Sequence, residues 1–135
     1  MNPAEIVNKM YSHDGFSQWL GIQVDHISAG KCELSMTVTK EMLNGFGIAH
    51  GAIAYALADS ALAFASNSHG RQSLSVDTSI NHLEAAAEGA KLVAKATEVS
   101  LKNKFGLYSV EVRKGDKLIA VFKGTVYRTE KEWTP

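Results

Sequence analysis

Charge of one sign is missing from this sequence, because fourteen lysines and arginines balance fourteen aspartates and glutamates over 135 residues. A balanced chain has no electrostatic bias toward nucleic acid or an anionic membrane, and it does not oppose self-association. Cysteine is nearly missing too. Cys32 stands alone, which excludes an internal disulfide and predicts a reducing, cytoplasmic setting. No basic N-terminal stretch leads into an apolar one, so no signal peptide is expected. Segment 51–65 is apolar but shorter than the roughly twenty residues that span a bilayer, and it carries a carboxylate. The five histidines have no spacing that suggests a metal pair, so neither a metal nor a cofactor is expected. Repeats, low-complexity tracts and linkers rich in Pro, Gly or Ser are absent as well. The sequence reads as one domain over 1–135, long enough to bury a core unaided.

What is present is a change of period along the chain. Residues 3–20 read as one or two short helices, with Ile6, Met10, Phe16 and Leu20 as apolar anchors and Asp14-Gly15 as a break. From 22 to 29 and from 32 to 39 the period falls to two. Cys32, Leu34, Met36 and Val38 alternate with Glu33, Ser35, Thr37 and Thr39, and Ala29-Gly30-Lys31 makes the turn of a hairpin. Cys32 therefore reads as a packed core thiol. A loop through Asn44–Ala49 opens a helix near His50-Gly51, which runs to about Ser68 and ends at His69-Gly70. Four further strands are predicted at 73–83, 91–101, 107–113 and 118–128. Two strands, a long helix and four strands imply an α+β fold, with an antiparallel sheet covering the helix.

That helix carries the chemistry. Seven of its residues 51–65 are alanine, and Asp59 is the only charge among them. A helix apolar all the way round is normally buried on all sides. A mid-helix aspartate is most often a solvated surface group, but here its neighbours one turn away are Tyr55, Ala56, Leu62 and Ala63. Such a carboxylate belongs at an interface or in a cleft, since burial without partners costs several kcal/mol or forces protonation. At the helix start, the Gly51 N–H lacks an intrahelical partner and has the positive end of the helix dipole behind it. It can polarise a carbonyl or hold a tetrahedral oxyanion. Asp59 follows His50 by nine positions, roughly 13–14 Å of rise and about half a turn of rotation. One chain cannot easily aim both groups at one atom. If they cooperate, the site is shared between two subunits of a two-fold dimer.

Met42-Leu43-Asn44-Gly45 leading to His50-Gly51-Ala52, with Leu57-Ala58-Asp59-Ser60-Ala61 and Asn67-Ser68-His69-Gly70, resembles the PaaI-type hotdog acyl-CoA thioesterases linked to phenylacetate degradation. The likeness extends through Ser75-Val76-Asp77 and the strand 108–113, over about residues 15–129. The resemblance implies a central helix wrapped by a six-stranded antiparallel sheet, with a homodimer as the minimal active unit and a homotetramer built as a dimer of dimers. It implies that Asp59 is the general base or nucleophile and that the Gly51 N–H polarises the thioester carbonyl. Asn44 and His50 would hold the thioester and the attacking water, with Ser75 beside that water. Pantetheine and nucleotide contacts would fall at Asp77, His82 and the turn 100–105 (Ser100, Leu101, Lys102, Asn103, Lys104, Phe105), with coenzyme A entering only as part of the substrate. Tyr55, Leu62 and the loop before His50 are expected around the acyl group.

The sequence departs from the family twice. Ala52 replaces the second glycine of His-Gly-Gly, and Lys102-Asn103-Lys104 replaces a Gly-Lys turn. Arg71, Lys123 and Arg128 read as solvated charges. The acyl group could be aryl or medium-chain. Two other readings remain open: a hotdog enoyl-CoA hydratase or dehydratase, and a non-catalytic acyl-CoA-binding domain.

Overall fold

The computed structural model describes residues 1–135. Two short helices come first, α1 (Pro3–Ser12) and α2 (Gly15–Trp19). The strands β1 (Gln23–Ser28) and β2 (Lys31–Thr37) follow, then a 3-10 turn at Lys40–Met42 and the long helix α3 (Gly51–Asn67). The chain continues through β3 (Arg71–His82), β4 (Lys91–Leu101), β5 (Phe105–Lys114) and β6 (Lys117–Glu132). All neighbouring strands are antiparallel, and they form one six-stranded sheet in the order β1-β2-β4-β5-β6-β3. This is the hotdog arrangement, with the sheet wrapped around α3.

Period-two patterning explains the inner face. Leu34, Ala94, Val112 and Ala120 pair in register across four strands, and all four are fully buried. Fully burying one large aliphatic side chain stabilises the fold by roughly 1.5–3 kcal/mol. Cys32 lies one position along the same face; burial first, then Asp25 and Glu33, push its thiol up to about 12. A thiol that stays protonated is a packing residue and a poor nucleophile.

Small residues let the sheet close on the helix. A Cβ added at Gly124 would lie 2.5 Å from the buried Leu62 Cδ2, so any side chain at this point of β6 would push Leu62 out of its place in the core. Gly30, in the β1–β2 turn at φ +75°, sits 3.1 Å (by the same construction) from Glu98 Oε1 and His69 Nε2. Those two atoms are 2.6 Å apart, and the buried Tyr108 hydroxyl donates to the same Glu98 oxygen at 2.9 Å. His69 thus ties the end of α3 to the sheet.

Three expectations change. Phe16 is 55% exposed, because the five-residue α2 turns Ser17, and not Phe16, toward the core. Arg71 and Arg128 are more than solvated surface charges: they also bind the carbonyls of Asn103 and Lys102, clamping the β4–β5 turn. The helix α3 is also not covered on every side. Ala52 is exposed and Tyr55, Asp59 and Ala63 are half-buried, which leaves one stripe at helical spacing open. No helix is long and apolar enough to cross a membrane.

Candidate active site

The loop before α3 is organised by Asn44. Its Oδ1 accepts the N–H groups of Phe46 at 2.9 Å and Ile48 at 3.4 Å, and its backbone N–H donates to Ile48 at 2.8 Å. That leaves the Asn44 Nδ2 donors free. His50 caps the helix, with Nδ1 accepting the Ala52 N–H at 3.0 Å. With Nδ1 accepting, the neutral ring carries its proton on Nε2, which is left as a donor. The Gly51 N–H makes no hydrogen bond and is exposed at the positive end of the helix.

These three residues line one cavity of about 340 Å³, together with His82 at the end of β3. A Cβ added at Gly51 would come within 3.3 Å of His82 Nε2, so glycine keeps the imidazole and the free N–H side by side.

Asp59 lines a different, smaller cleft of about 140 Å³ with Ser75, Ser73 and Leu62. Its carboxylate has no hydrogen-bond or ion-pair partner; burial first, then the Asp14 carboxylate, hold it above the usual aspartate range. Eight positions of helix separate Gly51 from Asp59, a rise of roughly 12 Å. Within one chain the N–H donor and the carboxylate therefore face separate spaces, as the spacing requires.

The remaining expected residues scatter. Tyr55 stacks edge-on against Phe122, and its hydroxyl lies 2.6 Å from Thr78 Oγ1; it lines neither cavity. Asp77 faces an outer groove beside Lys123. Ser100 and Leu101 end β4 and Phe105 begins β5, so only Lys102, Asn103 and Lys104 form the turn. That turn lies outside both cavities.

A family model described as the thioesterase superfamily matches residues 46–121, which span both Gly51 and Asp59. The chain belongs to the thioesterase superfamily. A protein of Archaeoglobus fulgidus, assigned provisionally to the esterases, is 44% identical over 93% of this chain and 82% of its own. The acyl-coenzyme A thioesterase PaaI of Escherichia coli is 34% identical over 88% of this chain and 86% of its own. The solved structure of E. coli PaaI, from the phenylacetic acid degradation operon, superposes with a TM-score of 0.95 at 31% identity, covering 98% of this chain and 96% of that one. The thioesterase is thus of the PaaI type, and its reaction is thioester hydrolysis.

Sequence reasoning missed several residues around this thioesterase's carboxylate. Ser73 and Leu74 line the Asp59 cleft, and Asp14 acts on it from the N-terminal helices. Alternation could have placed Ser73 on the inner face. Nothing local connects Asp14 with a residue 45 positions later.

Proposed function

We propose that this thioesterase hydrolyses an acyl-CoA to the free acid and CoA, at a site completed by two subunits. Asp59 of one protomer acts as general base on water, or attacks the thioester carbon itself to give a mixed anhydride. Gly51 of the partner subunit donates its N–H to the carbonyl oxygen, which gains negative charge as the tetrahedral intermediate forms. Asn44 Nδ2 and His50 Nε2 orient the thioester beside that N–H, and the Ser75 hydroxyl holds the attacking water near Asp59.

One observation carries this reading. An unpaired carboxylate stands on the open stripe of α3 while the free amide lies roughly 12 Å along the same helix in another cavity. The edge strand β3 supports it, because it borders the Asp59 cleft and presents Leu74 and Val76, 67% and 59% exposed, beside an unpaired sheet edge. A dyad there brings a second copy's helix start to Asp59. Phe105 and Tyr127, paired in register and exposed, offer the dimer an apolar face for pairing into a tetramer.

The acyl group is aryl, of phenylacetyl type, with medium-chain groups next. The phenylacetic acid degradation operon of the E. coli relative supports that order. His82, beside Gly51, contacts pantetheine, and Lys102 and Lys104 on the clamped turn meet the CoA phosphates. The buried, free Cys32 fits a cytoplasmic enzyme.

The test is a panel of acyl-CoA substrates with free-thiol detection, run on wild type and Asp59→Asn. The variant should lose at least about a hundredfold in kcat with CoA binding retained. Wild-type turnover in Asp59→Asn would overturn the reading. Single turnover in labelled water separates the two mechanisms, since only the anhydride route places labelled oxygen in the Asp59 side chain.

A further inference from the structure

The N-terminal helices are tied to α3 at the turn that carries Asp59. Asp14 caps α2, with Oδ1 accepting the Ser17 N–H at 2.9 Å and Oδ2 accepting the Ser17 hydroxyl at 2.6 Å. The Ser17 and Ser60 hydroxyl oxygens are 2.8 Å apart, and both serines are buried. A carboxylate only accepts, so the single Ser17 hydroxyl proton is committed to Asp14 and Ser60 must donate to Ser17. The relay therefore runs one way, from Ser60 through Ser17 to a charge, which strengthens each bond. Ser60 directly follows Asp59.

Capping of α2 accounts for the bond to the Ser17 N–H but not for a buried serine within α3, where the residues one turn away are Ala56, Leu57, Ala63 and Phe64. Electrostatics adds a second reason. Within one protomer the Asp59 cleft is lined by Ser73, Leu74 and Ser75 from β3, Val126 from β6, and Leu62, Ala63 and Ser66 from α3, none of them ionisable. Within the protomer Asp14 is the one charged group that acts on Asp59, and it adds to burial in holding the carboxyl above its ordinary range; in the shared site the partner subunit's His50 is the other titratable group that faces it.

The geometry points to Asp14 as a positioning residue for Asp59: through Ser17 and Ser60 it fixes the helix turn that presents the base, and it sets a second negative charge within electrostatic reach. This deepens the thioesterase reading and rests on Asp59 being the base.

Asparagine caps helices about as well as aspartate, so Asp14→Asn keeps α2 and removes the charge. The experiment measures kcat/KM for phenylacetyl-CoA from about pH 4 to about pH 8, with wild type, Asp14→Asn and Ser60→Ala. The acid limb of Asp14→Asn should move to lower pH by roughly half a unit, because Asp59 ionises more readily without a negative neighbour. Ser60→Ala keeps the charge; its limb should stay in place while kcat falls severalfold. An unmoved limb in Asp14→Asn, or an unchanged kcat in Ser60→Ala, would overturn the proposal.

Asp59→Asn, run alongside, tests the underlying reading separately, since its full turnover would mean that Asp59 is not the base wherever the limb lies.

Discussion

At the scale of single residues, Asp59 is placed against the stability of the fold. Burial and Asp14 raise its pKa in the folded state, so the native protein holds the Asp59 proton more tightly than the unfolded chain does. Its contribution is most favourable below the unfolded value of about 3.9 and is lost as pH rises through the raised folded value. At neutral pH the ionised group is therefore destabilising. Asp59→Asn should raise Tm at about pH 7, and the gain should shrink toward about pH 3, where aspartate is neutral in both states. Thermal scans at the two pH values check this, and an equal or lower Tm at neutral pH would contradict it. The substitution proposed to abolish turnover is thus also expected to stabilise the protein, the trade-off that an active-site group commonly shows. The odd character of Asp59 was legible in the sequence as the one charge in an apolar run. Its lack of a partner and its coupling to Asp14 were not, because both depend on what the fold brings near it.

Secondary-structure elements followed local pattern closely where one face is buried. The hairpin β1–β2, the two N-terminal helices broken at Asp14-Gly15 and the helix from Gly51 all lie within a residue or two of expectation. Period two forces one side of a strand inward, and the row Leu34, Ala94, Val112, Ala120 shows the consequence. Phe16 misled because a five-residue helix is too short to impose a face. The uniform greasiness of α3 misled because an apolar residue does not say which surface covers it. The far end of α3 is held by Asn67, whose Nδ2 donates to Ala63 O at 2.8 Å and Ser73 O at 3.0 Å. Its Oδ1 accepts Ser73 N–H at 2.9 Å and the Trp133 indole N–H at 2.8 Å. Asn67→Ala removes four bonds, two of them to the buried Ser73, so urea unfolding should show a loss of roughly 2–4 kcal/mol. A loss under about 0.5 kcal/mol would mean that water replaces the side chain there.

At the scale of the whole molecule, a shared site makes a distinctive expectation. Asp59→Asn and Gly51→Val are each expected to be inactive as homodimers. Unfolded together and refolded in equal amounts, half of the dimers are mixed, and each mixed dimer holds one intact site of two, so about a quarter of wild-type activity returns. A site built within one chain would leave the mixture inactive. Separation of the two groups was readable from the sequence, because helical rise depends on residue count alone. The family resemblance, carried by Asn44, His50-Gly51 and Asp59, was readable for the same reason, as a matter of spacing. The tertiary structure alone decided which stripe of α3 stays open, that β3 is the edge strand beside Asp59, and that Arg71 and Arg128 hold the turn at 102–104. Those facts arise from contacts between residues distant in the chain. Local propensity and periodicity set what each segment becomes, but only packing sets which segments meet.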